Sequence, residues 1–169
     1  MELNKAELTE RTIGILKEKY EDQVLLIESP YDFLTVTLKP EKIIEVIQHL
    51  YNHPEAGFRF LTTLAGIHFP DQKSIAVMYQ LQNQATGNRI RLKIYLPEEN
   101  PETPTLTGLF SGANWMERET FDFYGVKFTG HPNLKRILNV EDMIMFPMRK
   151  EFPLEDQVRE DKNDNMFGR

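Results

Sequence analysis

Residues 89 to 96 alternate without a fault: Arg89, Arg91 and Lys93 take one side, and Ile90, Leu92, Ile94 and Leu96 the other. A period of two puts successive side chains on opposite faces of a strand. This run is therefore a strand with one wet face, and it needs partners to cover the apolar one. They lie just before it. Ile75, Val77, Tyr79 and Leu81 alternate, as do Phe58, Phe60, Thr62 and Leu64, and Thr86-Gly87-Asn88 supplies the turn into the last strand. Further upstream, Val24 to Glu28 and Phe33 to Leu38 are short strand candidates separated by the turn Ser29-Pro30-Tyr31-Asp32. Asn4 and Glu7 form a capping-box pattern ahead of a helix carrying Leu8, Ile15, Leu16 and Tyr20. Pro40 opens another, with Ile43, Ile47, Leu50 and Tyr51 on one face. The order α-β-β-α-β-β-β predicts an α+β fold, its helices packed on one face of a largely antiparallel sheet.

After the strands, Pro97 to Pro104 reads as a linker, with Thr103 and Pro104 as N-cap and first residue of a long helix. That helix is expected to run to Tyr124, loosened at Ser111-Gly112 and ended by Gly125. Gly130, Pro132, Pro147 and Pro153 interrupt any long element beyond it. The expected division is an α+β domain over 1–125 and an extended C-terminal segment over 126–169 that docks on a partner.

Composition narrows the chemistry. The 169 residues include no cysteine, which excludes disulfides, thiolate catalysis and cysteine-ligated iron–sulfur clusters. The net charge of −6 argues against a nucleic-acid partner, which demands a basic field. No apolar run nears the roughly 20 residues that span a bilayer, and the polar start MELNKAELTE lacks a secretory core. A cytoplasmic location is expected, with any membrane role exercised through a partner.

A helical wheel over 110 to 124 gives an apolar arc of Phe110, Ala113, Met116, Phe121, Phe123 and Tyr124, with two residues out of place. Glu117 falls inside the arc. A buried carboxylate needs a cation or several donors, and Lys135 or Arg136 is nearest by sequence; otherwise Glu117 lies at the core's edge with its head in water. Trp115 falls on the charged face beside Arg118, Glu119 and Asp122. A large aromatic next to an arginine has the composition of an interface hot spot, though a single tryptophan also serves to cover a helix end.

Enzyme readings fare worse. Glu117 and Glu119 sit two apart on a helix and do not face each other, so they make a poor acid–base pair. His49 and His53 have the four-residue spacing of two metal ligands, but Pro54 follows at once and no glutamate lies in the metalloprotease position. There is no phosphate loop, nucleophile triad or dinucleotide fingerprint. A stand-alone metal-dependent enzyme using Glu117, Asp122 and His131 is kept as the alternative from another class.

One long string adds more than spacing can. Asn114-Trp115, Glu117-Arg118-Glu119, Asp122, Gly125, Gly130-His131-Pro132 and Leu134-Lys135-Arg136-Ile137-Leu138, with the later Pro147-Met148-Arg149-Lys150-Glu151-Phe152-Pro153, resembles the C-subunit family of the proton-pumping NADH–quinone oxidoreductase, bacterial respiratory complex I. The second block departs from the family's pattern at Met148, where leucine is usual, and at Glu151, where aspartate is. The resemblance implies a hydrophilic structural subunit of the peripheral arm, packed on the quinone-site subunit and other arm subunits. It implies a peripheral place on the cytoplasmic side of the cell inner membrane. Catalysis would belong to the whole complex, which transfers electrons from NADH to quinone and translocates protons; FMN, iron–sulfur clusters, NADH and quinone would be held by neighbours, and this chain would bind no cofactor or metal. The same string fits the equivalent subunit of a membrane-bound hydrogenase or a ferredoxin-fed complex. The partner-facing residues expected from it are Trp115, Arg118, Glu119, Asp122, His131, Arg136, Arg149 and Lys150, with Glu117, Gly125 and Pro132 structural.

Overall fold

The computed structural model describes residues 4–152. Helix α1 (Lys5–Tyr20) begins with the expected capping box: Asn4 Oδ1 accepts from Glu7 N–H at 2.9 Å, and Glu7 accepts from Asn4 N–H at 3.0 Å. Strands β1 (Val24–Glu28) and β2 (Thr35–Leu38) follow, then α2 (Ile43–Asn52), β3 (Phe60–Phe69), β4 (Ser74–Gln82) and β5 (Arg89–Pro97). These strands form a sheet in the order β1-β2-β5-β4-β3, antiparallel throughout except where β5 lies parallel to β2. That parallel pair arises because α2 and the β3–β4 hairpin intervene between β2 and β5.

One sheet face carries the core. Leu64, Tyr79, Leu92 and Val36 lie in register across β3, β4, β5 and β2 and are all buried. Ile15, Leu16 and Tyr20 of α1 and Ile43, Val46, Ile47 and Leu50 of α2 belong to the same cluster, so the helices cover this face. Burying these aliphatic side chains stabilises the fold by about 1.5–3 kcal/mol each. The opposite face carries Arg89, Arg91 and Lys93, as their alternation predicts.

Three expectations need correction. Phe58, Phe60, Thr62 and Leu64 do not share a face. The β3–β4 register slips between Leu61 and Thr63, so Leu61 and Leu64 point inward while Phe60 is 44% exposed. An extra residue in one strand reverses the facing of everything past it. Thr103 and Pro104 do not open a helix either. They belong to a short strand, β6 (Glu102–Pro104), and α3 (Ala113–Tyr124) starts later, after Gly112. Finally, the core does not end at 125. Strand β7 (Lys127–Thr129) pairs in parallel with β6, and Val126 and Phe128 are buried with the rest. Part of the expected extended segment, residues 153–169, lies outside the described residues.

Helix α3 sits on the core face, at the β3 edge. Gly66 makes room for it: a Cβ there would stand 2.6 Å from the Tyr124 ring and 3.1 Å from Thr120 Cγ2.

Candidate functional site

The chain leaves α3 by a sharp reversal. Gly125 adopts φ 79°, a left-handed conformation that costs other L-residues about 1–2 kcal/mol, and its N–H closes the helix on Phe121 O at 2.8 Å. After β7 the backbone doubles back over the outer side of α3 as a strap, residues 130–152. Met148 N–H donates to Phe123 O at 3.2 Å, Arg149 Nε to Tyr124 O at 2.9 Å, and Lys150 N–H to His68 Nδ1 at 2.9 Å. The ring of Phe146 plugs the gap, with the Arg136 and Arg149 guanidiniums 5.1 and 5.0 Å from its centroid and Phe121 edge-on at 6.2 Å. A Cβ on Gly125 would approach that ring to 2.6 Å.

Asp122 is the centre of the strap. Its Oδ2 accepts the N–H groups of Ile137, Leu138 and Asn139 at 2.8–3.0 Å, and its Oδ1 accepts from Arg136 Nη1 at 2.7 Å and Asn139 Nδ2 at 3.0 Å. Arg136 directs its other donors to the carbonyls of Asp122, Met143 and Met145. Burial alone would raise the Asp122 carboxyl; the donors from Asn139, Arg136, Leu138 and Ile137 more than offset this and hold it far below the ordinary carboxylate range. Arg118 adds two more clasps, to Lys135 O at 3.0 Å and Arg136 O at 3.1 Å.

Glu117 works differently. It is fully buried, and its partners are neither Lys135 nor Arg136 but the β6–α3 connection: Thr105 Oγ1 donates at 2.5 Å and Leu106 N–H at 2.6 Å. His131 Nε2 lies 4.0 Å away. The His131 Nδ1 accepts from Asn133 N–H at 3.0 Å, leaving Nε2 as the nitrogen that donates to Asn114 O at 3.1 Å. With no full cation beside it, burial pushes the Glu117 carboxyl up, against the pull of the Thr105 and Leu106 donors.

These contacts correct several expected roles. Asp122 is wholly buried, and the side chains of Arg136 and His131 are 8% and 0% exposed, so all three face inward and build the strap. Arg118 and Arg149 are half-buried and also hold their own chain. Lys150 contributes its backbone N–H to His68 while its side chain is exposed; Glu119 and Pro132 are exposed as well. Trp115 is likewise turned outward, 61% exposed, with the Arg118 guanidinium 5.3 Å from its ring. The strap adds Leu138, Val140, Ile144, Met145 and Met148 to the outward apolar side chains, and Ile144 is 94% exposed. A groove of about 410 Å³ opens between the apolar Phe121, Leu134, Met143, Ile144 and Phe146 and the charged Lys135, Arg136 and Glu141. Exposed apolar patches of this kind on a folded chain mark contact surfaces.

Sequence reasoning passes over Phe146, Ile144 and Thr105. An aromatic beside Pro147 in an otherwise broken stretch is the available signal for Phe146; Thr105 has none. Among the described residues no group of histidine and acidic side chains could hold a metal, and no helix is long and apolar enough to cross a membrane. The site can fix a shape and offer a face; its buried carboxyl groups are already hydrogen-bonded within the chain.

Comparison with known proteins is consistent across sequence and structure. Residues 36–158 match the family described as the respiratory-chain NADH dehydrogenase 30 Kd subunit. The chain is 45% identical over 122 residues to the C-subunit of the NADH-quinone oxidoreductase of Roseiflexus sp. (strain RS-1), covering 72% of this chain and 70% of that one. A trypsin-resistant fragment of Nqo5 superposes with a TM-score of 0.62 at 32% identity, over 73% of this chain and 99% of the fragment. A chain of the membrane-bound sulfane sulfur reductase, an archaeal respiratory membrane complex, shares the fold with a TM-score of 0.75 at 21% identity, over 94% and 98%.

Proposed function

The chain belongs to the family of the 30 kDa subunit of respiratory-chain NADH dehydrogenase, and from that membership we propose that it serves as the C-subunit of an NADH–quinone oxidoreductase, a structural part of the peripheral arm. The observation that carries this reading is the match over residues 36–158, which takes in the whole of α3 and the described strap. The geometry agrees with a scaffolding role. Asp122, Arg136 and Glu117, the buried ionisable groups of the motif, are engaged in holding the strap and the β6–α3 connection, and the side chains left outward around them mix large apolar groups, Trp115 and Ile144 among them, with charged ones such as Glu119 and Lys135.

In this reading the outward Trp115 and Ile144 pack against the quinone-site subunit, and the chain reaches the cytoplasmic side of the cell inner membrane only through its neighbours. Electron transfer from NADH to quinone, coupled to proton translocation, runs on FMN and iron–sulfur clusters bound by other subunits. The purified chain alone is expected to bind no metal and to turn over no substrate. Affinity purification of the tagged chain from native membranes tests the reading. NADH-oxidising, quinone-reducing particles that contain the quinone-site subunit are the expected result. Particles that accept electrons from ferredoxin or hydrogen but are inert to NADH would move the chain to a related complex that uses the same fold.

A further inference from the structure

The face of the sheet away from the helices is a second surface. Arg89, Arg91 and Lys93 stand along β5 on that side, at alternate positions with their Cα atoms about 7 Å apart. Their neighbours in register are uncharged: Gln82, Gln80 and Met78 on β4, and Thr35 and Thr37 on β2 beside Arg91 and Lys93. Among the described residues no carboxylate lies within 4.0 Å of any of the three; the ion pairs of the chain are elsewhere. In a protein of net charge −6 such a row is unusual.

A row of cations on a sheet ordinarily meets only water, but this one is held in place. The Arg89 and Arg91 guanidiniums lie 5.5 and 4.7 Å from the Phe33 ring centroid, and Lys93 Nζ lies 5.0 and 4.8 Å from those of Phe69 and Tyr95. Stacking fixes a guanidinium's plane while leaving its N–H edge free for a carboxylate. Arg91 Nε is itself buried and has no acceptor among the described residues. The cations are thus pre-positioned and without carboxylate partners among the described residues, on backbone positions spaced like alternate residues of an extended chain.

We propose that this face docks an extended segment of a neighbouring subunit that carries carboxylates at every second position, one opposite each of Arg89, Arg91 and Lys93. The proposal rests on the subunit reading above, since it needs a neighbour, and it adds an acidic contact on the side of the molecule opposite the core face. The strand repeat suits that conformation: two residues of extended chain advance about 7 Å, the Cα spacing of the three cationic residues on β5, and the stacked arginines select carboxylates over neutral acceptors.

Zero-length carbodiimide crosslinking of the purified native assembly, followed by peptide mass spectrometry, tests it, because the reagent joins an amine to a carboxylate in direct contact. The expected product links Lys93 to an Asp or Glu of another subunit, in a segment with acidic residues two positions apart. Arg89→Glu with Lys93→Glu should leave the isolated chain folded, with its melting lowered only by the lost ring contacts, and reduce its recovery in the assembly about tenfold, since like charges across an interface repel. Arg89→Gln with Lys93→Gln, which loses the same ring contacts without adding like charge, should melt alike and be recovered better. An assembly that contains the chain, yet in which Lys93 is acetylated as fast as in the free chain, overturns the proposal and leaves the subunit reading standing. So does protection of Lys93 that disappears on delipidation or nuclease treatment, which would assign the face to lipid or nucleic acid. Failure to recover the chain in any NADH-oxidising assembly overturns both.

Discussion

Two carboxylates of α3, Glu117 and Asp122, are both fully buried, and they meet burial in opposite ways. Asp122 is surrounded by donors and stays charged; Glu117 has two donors and no close full cation, and its carboxyl is pushed up. The consequences for stability have opposite signs. A depressed carboxyl contributes above its unfolded value, near pH 4, and loses that contribution as pH falls through it. Asp122→Asn should therefore cost about 3 kcal/mol at pH 7, by leaving Arg136 uncompensated and turning an amide toward donors, and the deficit should shrink as pH drops below about 4. Urea denaturation across pH 3–7 reads this directly. A raised carboxyl works the other way: its native form prefers the proton, so stability falls as pH rises from about 4.3 through the raised value. Glu117→Gln removes that penalty, and the variant should gain on the native chain as pH rises above about 4.3 in the same assay. Charge in both cases lives or fails on hydrogen-bond donors that no single residue announces.

At the level of elements, what is legible follows from period and punctuation. The capping box at Asn4, the α2 face and the alternation of β4 and β5 depend on local pattern, and each stands where local pattern puts it. Misreadings arise where distant contacts decide. Thr103-Pro104 has the chemistry of a helix start, but β7, more than twenty residues on, claims this stretch as a strand partner. The bulge at Leu61–Thr63 leaves no mark in composition. The strap is legible only as a broken stretch, because its fastening is carried largely by backbone carbonyls and N–H groups, which nearly every residue has. Gly125 is legible as a helix terminator; its second duty, clearance for Phe146, is not. Gly125→Ala should consequently cost more than a left-handed alanine alone, about 2–3 kcal/mol. Hydrogen exchange would show the loss concentrated in residues 130–152 and α3's last turn, with the sheet unchanged; equal loss throughout would contradict a locally fastened strap.

Across the whole molecule, the described charges sort into those that close the chain on itself and those that face outward. Trp115→Ala should leave melting unaltered, since the ring is mostly exposed, and weaken incorporation into the assembly about thirtyfold, the equivalent of roughly 2 kcal/mol for a hot-spot residue. Arg118→Ala should do both: it removes the stacked guanidinium and the two clasps to Lys135 and Arg136 carbonyls, so melting and incorporation fall together. Comparing the two variants by thermal melt and by pull-down separates the shared face from the internal fastening. The strap also sets an order of events. Its apolar side chains are arrayed outward only once its backbone is anchored on Asp122, so the contact face does not exist on a chain whose α3 and β7 have yet to pack. A copy whose strap is not yet fastened therefore lacks the arrangement of outward side chains that a neighbour would have to match, so completed folding and a readable surface arrive together.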